Sequence, residues 1–197
     1  MDSAIEVREA RPDDLEASQL LFDSAHTEFT LLAGSAERAR RGLMHLWPNR
    51  GHSMSFEHAL VAEIDESLAG VIVGFPVAAR YRLHFALLRR GAAEIPIHRR
   101  LLMPPALAWL IAATPRPPRD GFYVAAIAVR RSFLRRGVAT ALFDSMGSRA
   151  RQSGFSKLAG HTGARHTVMR STAEAYGFRA TRARSWGYVL YELELGS

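Results

Sequence analysis

Residues 123–129 read Tyr123-Val124-Ala125-Ala126-Ile127-Ala128-Val129, and a few positions on the chain continues Leu134-Arg135-Arg136-Gly137-Val138-Ala139-Thr140. An apolar run of this length reads as a buried strand. It runs into a short basic loop with one glycine, and then into a helix opening on small residues. The first N–H groups of a helix lack internal acceptors, and the aligned peptide dipoles add partial positive charge there. A phosphate or pyrophosphate at that terminus satisfies both. Gly137 lets the backbone come close to such a ligand, and Ala139 keeps bulk out of its way. The segment therefore predicts a strand, an anion cradle and a helix in direct succession.

The chain around it has 197 residues, 48% of them hydrophobic and 23% charged, values of an ordinary globular protein. Residues 1–197 are expected to form one domain. No cysteine is present, which excludes disulfides, thiolate zinc sites and a cysteine nucleophile. The opening residues Met1-Asp2-Ser3-Ala4-Ile5-Glu6 lack the basic and apolar regions of a signal peptide. The longest apolar stretch, 101–113, is too short to span a bilayer and is broken by Pro104-Pro105. A cytoplasmic protein without a membrane partner is the expectation.

The net charge of +7 is regional. Residues 78–119 hold Arg80, Arg82, Arg89, Arg90, Arg99, Arg100, Arg116 and Arg119 against Glu94 alone. The remainder of the chain is balanced.

Periodicity predicts strands over 5–9, 59–64, 68–75, 123–129, 157–162 and 186–195. Helices are predicted over 15–25, 35–47, 82–90, 105–114, about 137–153 and 166–176. Arg11-Pro12-Asp13-Asp14 supplies a helix-start signal, and Gly177 a helix stop. The fold class is α/β (α+β): a central mixed, mostly antiparallel sheet flanked by helices. Residues 78–120 form a basic helical insertion between the third and fourth strands.

These residues resemble the GNAT superfamily of acetyl-CoA-dependent N-acetyltransferases. The family's loop, Arg/Gln-x-x-Gly-x-Gly/Ala after its fourth strand, is matched by Leu134-Arg135-Arg136-Gly137-Val138-Ala139, with Leu134 at the first position. Its later Leu-Tyr-Glu-Lys-x-Gly-Phe is matched by Thr172-Ala173-Glu174-Ala175-Tyr176-Gly177-Phe178, where Ala173 replaces the tyrosine. The family's upstream asparagine falls on His166. The resemblance implies acetyl-CoA between splayed fourth and fifth strands. Its pantetheine would pair with Ile127, Ala128 and Val129, and its pyrophosphate would sit on the amides of Arg135, Arg136, Gly137, Val138, Ala139 and Thr140. The amides survive the change at Leu134, because every one of these residues carries an N–H. The ordinary alternative is a strand–loop–helix junction with solvated arginines.

For chemistry, the resemblance implies direct attack of an amine in a ternary complex, with a base for its proton and an acid for the thiolate. His161 on the fifth strand reads either as that base, since imidazole titrates near neutrality, or as a surface histidine. Tyr176, one turn beyond Ala173, either replaces the missing phenol or is a core tyrosine. His166 either caps its helix or touches the pantetheine arm. Glu57 and Glu63 are further acids near the expected acceptor cleft. No metal is expected, because His161 and His166 lie on different predicted elements and His52 and His58 lack carboxylates at ligand spacing.

The insertion is expected over the acceptor side as a lid, a wall or a subunit interface. Its face Leu83, Phe85, Leu87 and Leu88 supplies apolar cover, and Arg82, Arg89 and Arg99 could meet an anionic group on the acceptor. A homodimer is the other use of that surface. The function expected is acetyl transfer from acetyl-CoA to a primary amine of a small molecule or peptide. A GNAT-like domain that holds acetyl-CoA without turnover is the alternative. A nucleic-acid module is the least favoured, because the arginines lack an interleaved aromatic platform.

Overall fold

Strands β1 (Glu6–Glu9), β2 (Ala59–Ile64), β3 (Ser67–Pro76), β4 (Phe122–Val129), β5 (Lys157–Gly163), β6 (Arg179–Ala183) and β7 (Tyr188–Glu194) form a seven-stranded sheet. Their order is β1-β2-β3-β4-β5-β7-β6. The computed structural model describes residues 4–95, 97, 114–183 and 187–196. Every neighbouring pair is antiparallel except β4 and β5, which run parallel. The expected mixed α/β architecture is therefore the observed one.

Six helices complete the described fold: α1 (Leu15–Ser24), α2 (His26–Ala33), α3 (Ala36–Leu46), α4 (Arg80–Gly91), α5 (Val138–Gln152) and α6 (Thr167–Tyr176). The apolar faces of β2 and β3 are buried on both sides, so the sheet separates two cores. On one side Ala17 and Leu21 of α1, Trp47 and Leu83 of α4 pack with Val61, Val71, Val73, Phe75 and Tyr123. On the other, Val138, Leu142, Phe143, Met146 and Ala150 of α5 pack with Leu60, Ala62, Ile72, Phe122, Val124 and Leu158. Each such large apolar side chain contributes about 1.5–3 kcal/mol through burial.

Two strand glycines let α5 lie close to the sheet. A Cβ at Gly70 would come within 2.9 Å of Val138, and one at Gly74 within 2.7 Å of the Met146 sulfur. The start of α5 is thereby pinned at the end of β4, where the anion cradle was expected.

Two elements were not anticipated. Helix α2 has only Ala33 buried and no side-chain N-cap, so it has almost no amphipathic pattern. Strand β6 is an exposed edge carrying Arg179 and Arg182, and its polar composition hides it from an alternation test. The expected helix at 105–114 falls on residues that, apart from Thr114, lie outside the described ones. In α4, Phe85 is 62% exposed, so the apolar face expected there is only partly covered.

Candidate functional site

Strand β4 pairs with β5 only through Phe122–Leu158, Tyr123–Ala159 and Val124–Gly160. Beyond Val124 it stays hydrogen-bonded to β3 through Val129, while β5 stays paired with β7 through Gly163. Two strands held on their outer sides thus diverge from a common apex. The register of β3 on β4 shifts between Val73 and Gly74, leaving Ala125 as the extra residue at the mouth. Such a bulge bends its strand away from the ladder. Ile127, Ala128 and Val129 lie along the β4 wall of this opening, with backbone groups that β5 does not use.

The basic loop sits at the wide end. Arg130 N–H bonds back to Ala69 O, and a single turn over Arg131–Phe133 leads to Leu134. Arg135 and Gly137 both have left-handed backbone, with φ of 61° and 84°. A side chain at 137 would be strained there, so glycine is required by conformation as well as by approach. Turns with left-handed residues converge successive N–H groups on one concavity. Among the described residues, none of the N–H groups of 135–140 meets a protein acceptor, and α5 has no side-chain N-cap. The open donors, the helix start and exposed Arg135 and Arg136 make the arrangement suited to a pyrophosphate. Leu134 is 52% exposed and makes no polar contribution.

The opposite face of the apex carries a different kind of site. The His161 side chain lies beside Tyr123, with ring centroids 5.6 Å apart. His161 Nε2 lies 2.7 Å from Pro115 O, so it carries the proton and donates, since a carbonyl only accepts. Its Nδ1 is then the acceptor for the Tyr123 hydroxyl at 3.1 Å. Burial, with help from Arg80, pushes His161 down to about 4. His84 of α4 faces Phe75 and Tyr123, and burial beside Arg80 takes it to about 4 as well. Its Nδ1 is closed off from solvent and meets no partner among the described residues. The Arg80 guanidinium stands 5.4 Å from the Tyr123 ring centre and donates to Tyr81 Oη at 2.7 Å. Both ends of the 78–120 segment therefore line this pocket, through α4 and through Pro115.

The other expected residues are placed elsewhere or used differently. Tyr176 packs on Phe143 and Phe178, and its hydroxyl donates to Asp144 Oδ1 at 2.6 Å. Burial and then the Asp144 carboxylate raise its phenol above the usual range, which weakens it as an acid. Ala173 is buried in the core under α5. His166 is the N-cap of α6, but its side chain makes no capping bond. Its exposed ring lies against Gly163 at the end of β5. Glu63 bonds Arg8 on the β1–β2 edge, away from the opening, and Glu57 accepts from Gly51 N–H. Arg82 and Arg89 are solvent-exposed, and Arg99 lies outside the described residues.

Arg80, Tyr81, His84 and Tyr123 did not stand out in the sequence. An arginine among eight and a tyrosine opening an apolar strand carry no local signal, because only folding brings them together.

No curated protein matches the sequence. Solved structures do match in shape. An acetyltransferase crystal structure has 17% identity and a TM-score of 0.71, over 97% of this chain and 100% of that one. An N-acetyltransferase from Staphylococcus aureus Mu50 has 16% identity and a TM-score of 0.71, over 95% and 100%. The PaiA N-acetyltransferase from Thermoplasma acidophilum, determined in complex with coenzyme A, has 12% identity and a TM-score of 0.56, over 97% and 99%. At such identities the likeness establishes the fold. A family model described as the acetyltransferase (GNAT) family matches residues 19–178, from within α1 to the Gly177-Phe178 ending. A match over most of the chain, on a sheet that opens between its parallel strands, makes this protein a member of the GNAT acetyltransferase family.

Proposed function

We propose that the protein transfers the acetyl group of acetyl-CoA to a primary amine, by direct attack in a ternary complex. The observation that carries this reading is the opening between β4 and β5, with unused amides on one flank and the half-buried Tyr123–His161 pair on the other. Residues 135–140 hold the pyrophosphate by their N–H groups, with Arg135 and Arg136 adding charge-assisted bonds. The unpaired edge of β4 at Ile127, Ala128 and Val129 takes the pantetheine arm, and the end of β5 brings His166 alongside. Acetyl-CoA supplies the activated acyl thioester.

The chain's own part in the chemistry is to move a proton. The attacking nitrogen becomes strongly acidic as its bond to the acyl carbon forms, so a weak base suffices to take its proton. Tyr123 Oη accepts that proton and passes its own to His161 Nδ1. Pro115 O keeps the ring in the tautomer that leaves Nδ1 free to receive it. The carbon–sulfur bond breaks as the amide forms. A thiol of pKa about 8.5 leaves near neutrality with its proton taken from water, so Tyr176, tied to Asp144, need not act as the acid.

A second reading, a domain that holds acetyl-CoA without turnover, draws on Ala173 and on the engaged Tyr176 hydroxyl. One set of measurements separates the two. Acetyl-CoA, CoA and dephospho-CoA are expected to raise the melting temperature with concentration, as ligands of the folded state do. Thiol release with a panel of amines then supports transfer. Stabilisation with no release supports simple binding, and no stabilisation by any of the three defeats both. The acetyl-CoA partner, a cytoplasmic setting and a single domain over 1–197 belong to the same proposal.

A further inference from the structure

We infer that the acceptor amine carries an anionic group, a carboxylate or a phosphate, which seats on the buried Arg80 guanidinium beside the Tyr123–His161 pair. The inference rests on the acetyl-transfer reading and names the substrate class of that same site.

Arg80, the first residue of α4, is 6% exposed. A charge removed from water is costly unless an opposite charge accompanies it. Elsewhere in this protein that requirement is met. The partly buried Arg8 is held by Asp14 and Glu63, and Arg149 by Glu9. Arg80 forms no ion pair among the described residues. Residues 98–113, which lie outside them, contain no aspartate or glutamate in their sequence. The neighbours of Arg80 are instead neutral rings: Tyr81, with the guanidinium 4.6 Å from its centre, and Tyr123. Both histidines of the pocket lean towards the neutral form beside it.

Three groups here can donate to an anion. Tyr81 Oη accepts from Arg80 and has its own proton to give. His84 Nδ1 is enclosed and has no partner among the described residues, and as a neutral tautomer it donates to an oxygen placed there. The remaining guanidinium N–H groups form a planar fork, the geometry that suits carboxylate and phosphate oxygens. Among the described residues, a buried cation, an imidazole nitrogen without a partner and a phenol, with no acid beside them, make a receptor for an anion. Arg82 and Arg89, expected from sequence to play this part, are exposed and solvated.

The test compares matched amines as acceptors: an α-amino acid with its carboxamide, and glucosamine 6-phosphate with glucosamine. In one pair the anionic member is expected to be used at least about 100-fold better in kcat/KM, which corresponds to two charge-assisted hydrogen bonds. Which pair shows it decides between carboxylate and phosphate. Arg80→Gln is expected to erase that preference mainly through KM, leaving the neutral member and the CoA-induced thermal shift unchanged. Arg80→Lys is expected to keep part of it. Arg82→Gln and Arg89→Gln are expected to keep all of it. Equal use of both members, or an equal loss on both in Arg80→Gln, overturns the inference. Should Arg80→Gln not fold, Arg80→Lys and Tyr81→Phe are each expected to lower the preference without erasing it, since Tyr81 is half-exposed and each leaves the neighbouring rings in place, and an unchanged preference in both overturns the inference.

If no amine is acetylated, the transfer reading fails separately. The anion site is then read by titrating inorganic phosphate and acetate into the CoA-saturated protein. Saturable binding lost in Arg80→Gln supports the site, and its absence, or equal binding in the variant, overturns it.

Discussion

The cradle at 135–140 and the side-chain cluster around Arg80 are built by opposite means. The cradle is continuous in sequence and, in the proposed function, works through backbone N–H groups, which every residue there possesses. Its side chains are largely exposed apart from Val138 in the core, and Gly137 occupies left-handed backbone. The Arg80 cluster is assembled from α4, β4, β5 and the connector at Pro115, and consists of buried and half-buried side chains. A backbone site tolerates drift in sequence, as Leu134 illustrates. A side-chain site changes its ligand when one residue changes. In the proposed function the cradle therefore serves a constant co-substrate, while the Arg80 cluster selects a particular acceptor.

The sharpest test of this contrast lies in the pocket. Tyr123→Phe and His161→Ala are each expected to lower kcat by about 10²–10⁴, the usual range for loss of a positioned base. CoA affinity should stay within about twofold by calorimetry. A matching loss of CoA affinity would show that the two flanks are not separate. Next comes the cradle, where Gly137→Asp places a side chain on left-handed backbone and a negative charge at the helix start. CoA affinity is expected to fall about 100-fold or more, while the pocket's anion preference, read at saturating acetyl-CoA, persists.

A third test uses the low pKa of both pocket histidines. In the unfolded chain they take up protons near 6.5, whereas in the fold they resist to about 4. The unfolded state binds more protons between those values, so stability falls as pH drops from about 6.5 towards 4. The loss reaches about 3 kcal/mol for each histidine at the acid end. Thermal melts across that window should show it, and His84→Phe should flatten part of the slope. A level melting temperature would mean that the histidines are not buried neutral.

The smallest effect is expected from Arg135→Ala or Arg136→Ala. Both side chains are exposed and screened by salt, so each change should weaken CoA binding only about threefold to tenfold, less at high ionic strength. A loss as large as that from Gly137→Asp would mean that the side chains, not the amides, carry the cradle.

The strands at 59–64 and 123–129 and the helix at 166–176 were legible because their apolar periodicity matches the element, and α5 because small residues and a glycine mark its start. Strand β6 and helix α2 were not, because both are largely solvent-exposed and so lack a period. Within the site, the cradle could be read as residues in order. His161 could be read as a titratable residue on a strand, but not its partner or its tautomer. The anionic acceptor was assigned to Arg82, Arg89 and Arg99 by charge density alone, and density does not distinguish a solvated arginine from a buried one.

The sequence by itself determined the alternation of strands and helices and the loop of open amides, because periodicity, glycine conformation and helix-end donors are local properties. Only the tertiary structure decided where β4 and β5 part, that Tyr176 is tied to Asp144, and that Arg80 meets Tyr123 and His84. Those outcomes depend on which side chains lose water together. That is settled by the packing of segments far apart in the chain.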